Sequence, residues 1–120
     1  MAMNKQARRV SKLPHDVYRV FDASGSLLYV GRTVNVFARL KEHRTWSAWW
    51  PDAVRGSVHR YPNRQHALGV EARAIREERP RDNRVLEAHW GRHDGGASDV
   101  VEEPMVLVWE NGEVWVDGEG

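Results

Sequence analysis

Apolar positions fall in short runs with two different periods along this chain. Val17, Arg19 and Phe21 alternate with Tyr18 and Val20, and Leu27 to Val30 forms a second short apolar run. Asp22-Ala23-Ser24-Gly25-Ser26 lies between them, so the pattern predicts two strands joined by a glycine-containing hairpin loop. After Gly31 the period lengthens. Val36, Phe37 and Leu40 form the apolar stripe of a helix capped by Thr33 or Asn35, with Arg39, Lys41 and His43 off that stripe. Val54 to Tyr61 predicts a third strand. Its Val54, Gly56, Val58 and Arg60 lie on one side, and Arg55, Ser57, His59 and Tyr61 form a polar rim facing substrate or solvent on the other. Asn63 caps a longer helix that Pro80 stops near Arg79, with Ala67, Leu68, Val70, Ala74 and Ile75 on its buried side.

Beyond this point Arg84 to Trp90 reads as a short last helix, and Gly95 to Ser98 as a linker-like break. Met105 to Trp109 and Glu113 to Asp117 then flank Asn111-Gly112, the strongest hairpin signal in the chain. A two-residue turn there sets Val108 against Trp115 and Trp109 against Val114. The hairpin is apolar on parts of both faces, so it must cover something, either its own domain or a second copy. The expected fold class is α+β, a small antiparallel three-stranded sheet flanked by helices. It occupies residues 15–93, after a basic flexible arm (1–14) and before an acidic linker and C-terminal hairpin (94–120) that is part of, or appended to, the same domain.

Composition adds three constraints. At 120 residues, 41% of them hydrophobic, the chain suits one domain with a modest core. No apolar run approaches the roughly 18 to 20 residues of a membrane helix, and the polar, basic start lacks an apolar signal core, so neither membrane insertion nor export is expected. There are no cysteines, which excludes disulfides and thiolate metal sites and is compatible with a cytoplasmic location. Net charge is +1, but the signs are segregated: all 18 Lys and Arg lie in residues 1–93, whereas residues 94–120 carry acidic residues alone. Most of the cations are arginines, which suit bidentate phosphate contacts, and a basic body attracts a polyanion.

Within that basic body the reactive residue types cluster. Arg39 and His43 are four apart on one helix and share a face. With Tyr18 and Tyr29 from the hairpin, four groups able to handle a phosphodiester and a water fall close together in sequence. Glu71 sits beside an apolar stripe with Ile75 at the position where a helical ion-pair partner would be. His89 and His93 are four apart, but Gly91 intervenes and no third zinc ligand is evident. The run from Thr45 to Ala53 holds Trp46, Trp49 and Trp50, which can stack on unpaired bases or cap one end of the core.

These residues give the chain a resemblance to the GIY-YIG nuclease family. The second signature triad appears as Tyr29-Val30-Gly31; the first appears as Asp16-Val17-Tyr18, keeping the tyrosine and not the glycine. The tyrosine separation, Arg39, His43 one turn later, Glu71 in the long helix and Asn83 after Pro80 follow the family order, over about residues 15 to 84. The resemblance implies an endonuclease that hydrolyses DNA with Mg²⁺, or Mn²⁺ in its place. It makes Tyr18 the general base tuned by His43, and sets Tyr29 on the water or the scissile phosphate. Arg39 becomes the phosphate clamp and Glu71 the metal ligand, with Gly31, Arg32 and Asn83 on the substrate side. Asn83 would orient a phosphate or hold the turn beside the site, and reads nearly as well as a simple helix cap before Arg84. Asp16, in place of the family glycine, is expected to face outward. The rival reading is a non-catalytic nucleic-acid-binding or protein-interaction module on the same scaffold, dimerising or meeting a partner protein through the hairpin.

Overall fold

In the computed structural model, residues 13–83 and 104–117 are described. The expected basic arm up to residue 12, the short helix from Arg84, the His89–His93 pair and the linker at Gly95 lie outside these residues.

Alternation along β1 (His15–Phe21) makes the central strand two-faced. It pairs antiparallel with β2 (Leu27–Thr33) on one side and with β3 (Arg55–Tyr61) on the other. The β1–β2 loop is tied by the Asp22 carboxylate, which accepts hydrogen bonds from the backbone N–H groups of Ser24 and Ser26, each at 2.9 Å. The sheet does not stop at three strands, as the sequence pattern suggested. β4 (Met105–Glu110) pairs with β3, and β5 (Glu113–Val116) pairs with β4, giving a five-stranded antiparallel sheet in the order β2-β1-β3-β4-β5. The C-terminal hairpin therefore covers its own sheet edge. Its predicted register holds, with Val108 opposite Trp115 and Trp109 opposite Val114. Asn111 and Gly112 both take positive φ, the geometry that a two-residue hairpin turn requires.

Among the described residues of this α+β domain, two α-helices pack on opposite faces of the sheet. α1 (Val36–Trp46) is capped by Asn35, whose side chain accepts from the Ala38 N–H. It buries Val36, Leu40 and His43. Its apolar stripe thus runs i, i+4, i+7 and takes in His43, while Phe37, one position off, is 48% exposed. Tyr18, Val20, Val58, Leu107 and Trp109 lie under this helix.

α2 (Arg64–Glu78) starts at the Asn63 cap and ends at Arg79, which is in the left-handed region, just before Pro80. Its Ala67, Val70, Ala74 and Ile75 pack on Val17, Val30 and Tyr61. Tyr61 is buried there rather than exposed on a polar rim, because the odd-numbered face of β3 lies beneath α2. Among the described residues no helix is long and apolar enough to cross a membrane.

Asp16 also departs from expectation. Regular β1 geometry puts it on the same face as Tyr18, and it is buried. Arg60, its register partner on β3, holds it through Nε to Oδ1 at 3.0 Å. A neighbouring strand, rather than solvent, neutralises the Asp16 charge.

Candidate functional site

The site begins at the pairing of Tyr18 with Gly31 across β1 and β2. The Tyr18 ring lies over Gly31, where a β-carbon would overlap the phenol oxygen. Glycine is required here for space, and it lets the phenol pass over the neighbouring strand towards α1. There the Tyr18 hydroxyl meets Nε2 of His43 at 2.7 Å. The other ring nitrogen of His43, Nδ1, bonds Ser47 Oγ, one turn further along. Tyr29 lies across the same imidazole, with ring centroids 4.9 Å apart, and stacks on Trp49 at 5.4 Å.

Electrostatics follows from this burial. Desolvation, reinforced by Tyr29 and opposed by the Arg39 guanidinium, pushes the Tyr18 phenol well above its usual range. Tyr29 is raised in the same way, by burial first, with Arg39 pulling it back. Burial drives His43 down to about 4, with the Arg39 charge adding to the effect and Glu42 opposing it. At neutral pH the imidazole is therefore uncharged and able to accept one proton. Arg39 itself is held protonated, first by Glu42, whose Oε1 is 2.6 Å from its Nη1.

Glu71 comes from the opposite side of the sheet. It is only 8% exposed, and the partner missing from its own helix is Arg32 of β2, with Nε to Oε1 at 3.3 Å. Burial raises its pKa against the pull of Arg32 and Arg39, and its negative charge is felt by both phenols. All five residues expected to be catalytic thus act on one another.

Three expected assignments change in detail. Tyr18 is fully buried, and the phenol that lines the open cleft is Tyr29. Asn83 is engaged on both sides by Val30. Its Oδ1 accepts from the Val30 N–H at 2.7 Å and its Nδ2 donates to the Val30 carbonyl at 2.8 Å. With Arg81 and Asp82 bonding the carbonyls of Leu27 and Leu28, it seals the outer edge of β2 and fixes the Tyr29-Val30-Gly31 segment. Arg32, expected on the substrate side, is instead the partner of Glu71.

The cleft itself, about 410 Å³, opens between α1 and the segment after it. Tyr29, Arg39 and His43 line it, together with Trp46, Trp49 and Asp82. Ser47 and Trp49 were not singled out from sequence as site residues. The four-residue spacing of His43 and Ser47 was a legible signal for the first; the second was hidden among adjacent tryptophans. Among the described residues no cluster of three or more His, Asp or Glu groups forms a metal site. Comparison with protein-family models, with curated proteins and with solved structures returned no match for this chain.

Proposed function

We propose that the protein is a divalent-cation-dependent nuclease that hydrolyses phosphodiester bonds in DNA at the cleft beside Tyr29. The observation that carries this reading is the buried, neutral Tyr18–His43 pair beside the Arg39 guanidinium, with the charge of a buried carboxylate, Glu71, acting on both phenols.

Glu71 fits a hard divalent cation. Its Oε1 pairs with Arg32 at 3.3 Å, and as a carboxylate it keeps further acceptor lone pairs. Mg²⁺ accepts one carboxylate and completes its octahedron with waters. A cation held there would supply Lewis acidity to phosphoryl and leaving oxygens of a substrate. Arg39, partly exposed in the cleft, holds the non-bridging oxygens where negative charge grows.

A phenol is a weak base unless its own proton has somewhere to go. Tyr29 lines the cleft, Tyr18 lies behind it with ring centroids 6.1 Å apart, and the Tyr18 hydroxyl meets His43 Nε2. As Tyr29 takes a proton from the attacking water, its own proton passes to Tyr18, whose proton moves to Nε2 of His43. Nδ1–H then donates to Ser47 Oγ. The general-base role expected of Tyr18 thus becomes a relay, with Tyr29 in contact with the water.

The test is nicking of supercoiled plasmid with Mg²⁺, Mn²⁺ or EDTA, comparing wild type with Glu71→Gln. Expected is metal-dependent nicking that EDTA abolishes and that the variant loses by about 10²- to 10³-fold. Binding of DNA by both proteins with cleavage by neither supports the module that binds without hydrolysis, a reading favoured by the full burial of Tyr18.

A further inference from the structure

Of the three tryptophans between Thr45 and Ala53, two are accounted for by packing. Trp49 is buried against Tyr29 and His43, and Trp50 packs edge-on against Trp109 at 5.5 Å. Trp46 is not. It is the last residue of α1, 84% exposed, and it stands at the wall of the cleft that Arg39 and Tyr29 line. An indole held out in water gains nothing for the fold, whereas an indole beside a cation in a cleft is a surface on which a planar ring can stack.

We propose that Trp46 is a stacking platform for one unpaired nucleobase, so that the substrate is single-stranded or locally unpaired DNA rather than intact duplex. The proposal deepens the nuclease reading and rests on it for the identity of the polyanion. Cleft size agrees, since about 410 Å³ is within the range of ligand sites and has room for one base with its sugar. The acidic lining does not repel the strand. Glu42 is paired with Arg39 at 2.6 Å and Asp82 with Arg81 at 2.8 Å. Both carboxylates keep acceptor capacity for a base amino group. A base inside a duplex keeps its faces covered by its neighbours and cannot reach Trp46 without being unstacked.

The experiment is fluorescence anisotropy of a labelled short single-stranded DNA, and of its duplex, titrated with full-length protein in EDTA so that no hydrolysis occurs. Trp46→Ala is expected to weaken single-strand binding by about 5- to 100-fold and leave duplex binding unchanged. Trp46→Phe restores most of the affinity. Trp115→Ala, at an indole 57% exposed on β5, changes neither. Arg39→Ala weakens both forms, because its contact is to the backbone. Equal single-strand affinity of wild type and Trp46→Ala, or parallel loss for single strand and duplex, overturns the platform whether or not the protein cleaves. Trp46-dependent binding in a protein that never nicks DNA upholds the platform and sinks the nuclease reading alone.

Discussion

The two faces of the sheet are built on different physics. Under α2, Val17 and Val30 meet Ala67, Val70, Ala74 and Ile75 in a largely aliphatic core. Burial there is non-directional and acts through area alone. Under α1, Tyr18, Tyr29 and Trp49 crowd around His43, and the polar atoms of Tyr18 and His43 are committed to particular partners. On such a face, burial is joined by the geometry of particular polar contacts. The difference teaches where each property resides. Non-directional packing dominates the α2 face, and the directed polar contacts of Tyr18 and His43 lie on the α1 face. Glu71 and Gly31 are the points at which the two communicate, one by reaching across with its charge and the other by having no side chain.

Substitutions can break that division. The largest effect is expected from Ile75→Ala, which removes buried aliphatic volume from α2 and should cost about 2 to 5 kcal/mol in denaturant unfolding. Nicking per folded molecule should stay near wild type; a catalytic loss at temperatures where the variant is folded would merge the two faces into one unit.

Glu71→Gln reverses the pattern. Its carboxyl pKa is raised by burial, so the ionised form opposes folding above that pKa. The variant should show an unchanged or higher Tm by calorimetry while losing activity, and a Tm drop of many degrees would make Glu71 a structural ion-pair residue instead.

Next in size is the pH response of His43. Its folded pKa of about 4 lies below the unfolded value near 6.5, so the unfolded chain takes up a proton first as pH falls. The associated stability is fully present above about pH 6.5 and is lost as pH drops through about 4, amounting to up to about 3 kcal/mol. Urea unfolding across that range should show the slope, and His43→Gln should flatten it. His15 and His59, also pushed down by burial, supply what slope remains.

The smallest effect is expected at Asn83→Ala, about 1 to 2 kcal/mol for the paired bonds to Val30. Hydrogen exchange should show the Val30 amide losing protection. Retained protection would mean that Asn83 does not clamp β2.

Much of the fold could be read from local signals. Asn35 and Asn63 cap their helices, Pro80 follows the end of α2, and Asn111-Gly112 turns the last hairpin in the predicted register. Each depends on a few neighbouring residues. The site was legible as a set of residue types at helical and strand spacing: Tyr18, Tyr29, Arg39, His43 and Glu71. Its wiring was not. His43 read as lying off the apolar stripe because imidazole is polar, yet the i+7 position puts it in the core, where Tyr18 and Ser47 satisfy it.

What the sequence determined by itself is therefore the set of elements, their ends, the charge segregation and the candidate chemistry. These follow from periodicity, capping and turn propensity within a few residues. The tertiary structure alone decided that five strands form one sheet, that Arg32 answers Glu71 and Arg60 answers Asp16, and that Tyr29 rather than Tyr18 meets the cleft. Each of those is a pairing between residues distant in sequence, fixed by strand register and by which face a helix covers, and no local pattern encodes such a choice.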